Sequence, residues 1–134
     1  MVIHTGDIAN SGSLEKFSKL SCRLVGVYGN NDRYEVGIKE TAARHNFQFQ
    51  EPPKSINLCE RNIAIFHEPE LIEEFLLDKN NIDIVLHGHT HRYRNEVLND
   101  VLYFNPGESA GMVEGSNAIG IINLIDLTAK RIFF

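Results

Sequence analysis

At 134 residues, with 43% apolar and 23% charged residues, the chain has the size and composition of one folded domain, residues 1–134, and not of bulk disorder. Its net charge of −5 gives no basic footprint for nucleic acid or an anionic membrane, so an anionic substrate would need local positive charge such as bound metal supplies. No apolar run reaches membrane-spanning length, no secretory pattern opens the chain, and Cys22 and Cys59 form no C-x-x-C pair, so reduced thiols and a cytoplasmic location are expected.

In chain order, Met1 to His4 reads as a strand running into Gly6-Asp7. Ser11 or Ser13 is placed to cap a helix over 14–20, where Leu14, Phe17 and Leu20 recur at helical spacing. Residues 23–28 are a valine-rich strand, and Gly29-Asn30-Asn31-Asp32 is a loop. A helix over 35–44 follows, then a strand in which Phe47 and Phe49 alternate with glutamines, ended by Pro52-Pro53. Residues 54–67 read as an antiparallel hairpin turning at Glu60-Arg61-Asn62. Pro69 suits the first turn of a helix over 69–78, with Leu71, Ile72, Phe75 and Leu76 on one face. Residues 82–87 form a strand, 96–98 and 101–104 a hairpin about Asn99-Asp100, and 118–127 with 130–134 a last strand pair. Strand and helix alternate in the first half and strands dominate the second, which fits two packed sheets with helices outside.

Four of the apolar runs stop at polar residues of metal-ligand type. The run at Val2-Ile3 stops at Gly6-Asp7, 24–28 at Gly29-Asn30, 63–66 at His67, and 82–86 at His87-Gly88-His89-Thr90-His91. Parallel strands of open α/β sheets place ligand sites beyond their carboxyl ends, so these endings are expected to converge. Asp7, Asn30, His67, His89 and His91 together offer carboxylate, amide oxygen and imidazole without thiolate. That set argues against a structural zinc site and suits manganese, iron, nickel, cobalt or catalytic zinc. His4 and His87, inside strands, read as structural, as does His45 near a helix end. Asp32 reads as a loop-orienting hydrogen-bond acceptor, while Arg33 fits either a substrate phosphate or a surface ion pair.

The motifs Gly6-Asp7, Gly29-Asn30-Asn31-Asp32, His67 and Gly88-His89-Thr90-His91, with Asn105-Pro106-Gly107 after them, resemble the calcineurin-like metallophosphoesterase superfamily. Their order and spacing are most similar to the small phosphodiesterases that are themselves akin to the retromer subunit Vps29. The resemblance implies an α/β fold, a four-layer α-β-β-α sandwich. It implies hydrolysis of small phosphodiesters by in-line attack of a metal-bound hydroxide. Asp7, Asn30, Asp32, His67, His89 and His91 would form the catalytic set. Within it Asp7 would bridge two metals, Asn30, His67 and His89 would hold the second, and His91 the first. Asn31 and Arg33 would contact substrate. Mn2+ is the expected ion, with Ni2+, Fe2+, Co2+ and Zn2+ as alternatives.

Three departures qualify these implications. The family opens with a strand ending in Asp-x-His ahead of the Gly-Asp motif, and 1–134 contains none, so the first strand and helix of the sandwich are expected to be missing. This implies either a start upstream of Met1 or a truncated form, with the first metal left only Asp7 and His91, an expectation of one ion in place of two, and a gap that a second copy of the chain would cover. Asn31 stands where many relatives carry a histidine able to protonate the leaving group, and an amide cannot titrate. Glu68 follows His67 where relatives often carry glycine, and would either repel anions or pair with Arg33 or Arg92. The competing reading is a Vps29-like, non-catalytic protein-binding scaffold with a vestigial metal site. A metal-dependent nuclease is disfavoured by the acidic charge.

Overall fold

The computed structural model describes residues 1–79 and 81–134. Strands β1 (Val2–His4), β2 (Leu24–Val27) and β3 (Gln48–Gln50) form a parallel sheet in the order β1-β2-β3. Helices α1 (Ser11–Glu15) and α2 (Ile38–Arg44) connect them. The second sheet has the order β4-β5-β6-β8-β7, made from β4 (Lys54–Leu58), β5 (Arg61–Ile65), β6 (Ile84–Leu86), β7 (Arg94–Leu98) and β8 (Val101–Asn105). Its central strands β5, β6 and β8 run parallel, and α3 (Ile72–Leu77) crosses from β5 to β6. A hairpin of β9 (Ala118–Asn123) and β10 (Thr128–Phe133) makes a third, two-stranded sheet.

Alternation along the strands sorts the apolar side chains into three layers of core, because successive residues of a strand face opposite sides. Val25 and Val27 of β2 meet Ile63, Ile65, Ile84, Leu86, Leu102 and Phe104 of the second sheet, forming the core between sheets. Leu24 and Tyr28 face the other way, onto Leu14, Ile38 and Ala42 beside α1 and α2. Ala64, Phe66 and Val85 face Ile72 of α3 on the far side. Helix, sheet, sheet and helix thus stack as the α-β-β-α sandwich. Each fully buried aliphatic side chain in it contributes about 1.5–3 kcal/mol of transfer free energy. Gly26 leaves room for Phe49: a Cβ there would lie 2.7 Å from the Phe49 ring.

Local details depart from the sequence reading at the ends of helices and strands. Helix α1 starts earlier than expected and is capped by Asn10, not by Ser11 or Ser13. The extended backbone of Asn10 (φ −164°) lets its Oδ1 accept from Ser13 N at 2.8 Å. The hairpin of β4 and β5 turns at Cys59-Glu60, both at positive φ, and not at Glu60-Arg61-Asn62. Arg61 and Asn62 instead belong to β5 and are polar for tertiary reasons. Arg61 Nε donates to Leu124 O at 3.0 Å and Asn62 N to Asp83 Oδ2 at 2.8 Å. The Asn99-Asp100 turn, also at positive φ, lies where expected, with Leu98 opposite Val101. Strand β9 ends earlier than expected, at Asn123, and β10 begins earlier, at Thr128, the two parted by a turn in which Asp126 accepts from Thr128.

His4 and His87 are held inside this framework, and burial pushes both imidazoles below their usual pKa of 6.5. Below that value the unfolded chain takes up protons that the folded chain refuses, so folding stability should fall as pH drops through about 6.5. Each group contributes at most about 1.4 kcal/mol per pH unit. Urea midpoints of chelator-treated protein at about pH 7.5 and about pH 5.5 check this. An unchanged midpoint would contradict neutral burial of the two rings.

Candidate metal centre

Both sheets deliver their ligand-type residues from the carboxyl ends of parallel strands. Beyond β1 the chain turns through Gly6 (φ +97°) to Asp7, and beyond β2 through Gly29 to Asn30. Beyond β5 comes His67, and beyond β6 the loop 87–91. The loops pack closely enough to forbid side chains at their glycines. A Cβ on Gly6 would lie 2.6 Å from His67 Nδ1, and one on Gly29 would collide with the Asp7 carboxylate. Asp7, His89 and His91 all adopt positive φ, at 58°, 64° and 55°. Such backbone costs on the order of 1 kcal/mol or more per residue and concentrates where function requires it.

Asp32 ties two of these loops together. It is 2% exposed, and its carboxylate accepts from Ile8 N through Oδ1 and from Gly29 N through Oδ2, each at 2.7 Å. It therefore faces backbone, fixing the segments that carry Asp7 and Asn30. Asn105 does the same for the histidine loop: its buried Nδ2 donates to Gly88 O at 3.0 Å and Thr90 Oγ1 at 3.2 Å.

Asp7, Asn30, His67 and His89 are brought together. His67 is 1% exposed, and its Nδ1 lies 2.8 Å from Thr5 O. A carbonyl only accepts, so Nδ1 carries a proton, and the neutral form of the ring presents Nε2 as a lone pair. Around that nitrogen stand Asn30 Oδ1 at 2.9 Å, His89 Nδ1 at 3.2 Å and Asp7 Oδ2 at 3.4 Å. His89 Nδ1 is also 3.1 Å from Asn30 Oδ1. Asp7 is held in turn by Asn31, whose backbone N and Nδ2 donate to its two oxygens at 3.1 and 2.8 Å. The carboxylate, the amide oxygen and the Nε2 lone pair are acceptors converging on a single spot, with His89 Nδ1 beside them. They repel one another unless a cation sits among them or the imidazoles take up protons. The residues thus fit a divalent ion, with oxygen and imidazole ligands of borderline softness.

His91 stands apart from that cluster. Its Nδ1 is 2.6 Å from Oε2 of Glu108, a 5% exposed carboxylate that the sequence reading did not single out. The Met112 N–H, the His91 ring and the Ala110 N–H hold the Glu108 carboxyl below the usual range. The only local signal is an acid directly after the Asn105-Pro106-Gly107 break; the 17-residue separation from His91 hides the pairing. Arg33 pairs with Glu51 at 3.3 Å and Glu68 at 3.4 Å, so Glu68 takes Arg33 and not Arg92 as its partner. Both cysteines are exposed and free, and neither belongs to the cluster.

This sandwich, with ligand loops meeting at the sheet ends, has the layout of a metal-dependent hydrolase. Residues 1–128 match the calcineurin-like phosphoesterase superfamily domain, and the chain belongs to that family. It is 31% identical to a phosphodiesterase of Methanocaldococcus jannaschii over 124 residues, covering 91% of this chain and 75% of the relative. Among solved structures, a characterised archaeal phosphodiesterase superposes with a TM-score of 0.86 at 29% identity, over 99% of this chain and 82% of that one. The Escherichia coli phosphoesterase YfcE gives 0.55 at 17% identity, covering 97% and 81% of the two chains. Vps29 of Entamoeba histolytica gives 0.62 at 19% identity, covering 99% and 81%. These last two likenesses are of fold.

Proposed function

We propose that the protein is a metal-dependent phosphoesterase that hydrolyses small phosphodiesters. The observation that carries this reading is the convergence of Asp7, Asn30, His67 and His89 on one spot. A phosphodiesterase relative at 31% identity supports the substrate class. Mn2+ is the ion we assign to the spot, and His91 is the outlying ligand, near enough in sequence to His89 to serve a neighbouring ion. A bound divalent ion supplies charge neutralisation for the phosphoryl oxygens and an activated water.

The chain's own groups do the positioning. Asp7 keeps 26% side-chain exposure, so the site is open to a substrate. Asn31 orients Asp7, and its amide offers a neutral donor where an acid would protonate the leaving group. Esters with good leaving groups are therefore favoured. Arg33, 41% exposed, is placed to exchange its carboxylate partners for a phosphate. No helix among the described residues is long and apolar enough to cross a membrane.

The scaffold reading has one observation in its favour. Ile119, Ile121 and Ile132 lie 52%, 45% and 40% exposed on the β9–β10 hairpin. Ile119 faces Ile132 across the pair and Ile121 is two residues on, so they form one apolar strip for a protein partner or a second copy. Bis(p-nitrophenyl) phosphate separates the two readings. Turnover that requires added Mn2+ and stops with chelator is expected. Mn2+ binding without any turnover would favour the scaffold.

A further inference from the structure

We infer that Glu108 is a positioning residue that holds His91 as its Nδ1–H tautomer, keeping Nε2 free as a nitrogen donor at the edge of the metal centre. The inference rests on the ligand role proposed above for His91.

The carboxylate is fixed on one side and free on the other. Oε1 accepts from Ala110 N at 3.0 Å and Met112 N at 2.9 Å. Ala118 N, at the start of β9, donates to the backbone carbonyl of Glu108 at 2.7 Å. With Oε1 spoken for, Oε2 is left for His91 Nδ1 at 2.6 Å. An ionised carboxylate accepts only, so Nδ1 carries the shared proton, and the neutral form of the ring keeps its lone pair on Nε2. Among the described residues, Nε2 of His91 takes no hydrogen-bond partner.

Thr5 O plays the corresponding part behind His67, so the same Nδ1 support recurs at a second histidine of the chain. The two supports differ in kind. A carbonyl dipole fixes orientation, whereas a carboxylate also raises the basicity of the ring it holds. His91 is the more exposed of the two, with 44% side-chain exposure against 1%. Packing and the Thr5 carbonyl hold His67, and the carboxylate does that work for the exposed His91.

Glu108→Gln is the test, because its amide oxygen can keep the Ala110 and Met112 bonds while its NH2 faces His91 Nδ1. An NH2 donates, so the ring should switch to the Nε2–H tautomer and lose its free donor. Ring 15N spectra of the metal-free protein, recorded in alkaline buffer where the imidazole is neutral, should show Nδ1–H for His91 in the parent chain and Nε2–H in the variant. Mn2+ affinity, read by electron paramagnetic resonance of the free ion, should fall about 10–100-fold, as for other supports of metal-ligating histidines. The parent spectrum needs no variant, so the inference stays testable even if Glu108→Gln folds poorly. Nε2–H in the parent chain would overturn it, and so would an unchanged tautomer in a folded variant. Absence of Mn2+ binding by both chains would sink the metal reading instead, and the tautomer comparison would then decide Glu108's role alone.

Discussion

Replacing His67 by alanine is expected to lower Mn2+-dependent phosphodiester turnover by more than about 100-fold, beyond the usual effect of removing a ligand's support. Three facts make this position the most sensitive. The ring is 1% exposed, so water cannot take its place without a cavity opening. Its Nδ1 is committed to Thr5 O, and its Nε2 stands within 3.4 Å of Asn30, His89 and Asp7 donor atoms. Alanine removes the central nitrogen and also strands the Thr5 carbonyl, at a stability cost of about 1–3 kcal/mol. Steady-state kinetics with saturating Mn2+, alongside a thermal melt of the metal-free variant, separates the two losses. A folded variant that keeps turnover within a few-fold of the parent would contradict the ligand role.

Asp32→Asn is expected to cost stability and metal binding together. The parent carboxylate satisfies two buried backbone N–H groups at 2.7 Å each, on segments that lead to Asp7 and to Asn30. The amide satisfies one of them and turns an NH2 against the other. Leaving one buried donor unpaired and losing a charge-assisted bond costs roughly 3 kcal/mol. For a chain of this size that lowers Tm by about 10 °C. With the tie loosened, the Asp7 and Asn30 loops are no longer held at one separation, and Mn2+ affinity should fall as well. Exposed Asp78 provides the control, since its replacement by asparagine should stay within about 0.5 kcal/mol. Differential scanning calorimetry and Mn2+ titration of the two variants check the pair. An Asp32→Asn melt indistinguishable from that of Asp78→Asn would remove the tie from the account.

The sandwich was legible in the sequence because strand alternation and strand-ending residues are local signals. Val25 and Val27 against Leu24 and Tyr28 already mark two faces of β2, and the structure buries both. The grouping of Asp7, Asn30, His67 and His89 follows from one rule about where parallel strands end, combined with family motifs. What stayed hidden depends on partners distant in the chain. Arg61 and Asn62 look like turn residues until Leu124 and Asp83 are placed beside them. Asn10 competes with two serines for one cap, and only the backbone angle decides. Glu108 is one acid among 18, and only the fold of 105–118 carries it to His91. Arg33 illustrates a choice the sequence left open between phosphate and ion pair, which the geometry fills with Glu51 and Glu68.

The central claim is that these oxygen and nitrogen donors grip a divalent cation. A crystal soaked in Mn2+ and measured at the manganese absorption edge tests it most directly. The account predicts an anomalous peak bounded by Asp7, Asn30, His67 and His89. A map with no peak among those four side chains, from protein shown to be folded, would contradict it.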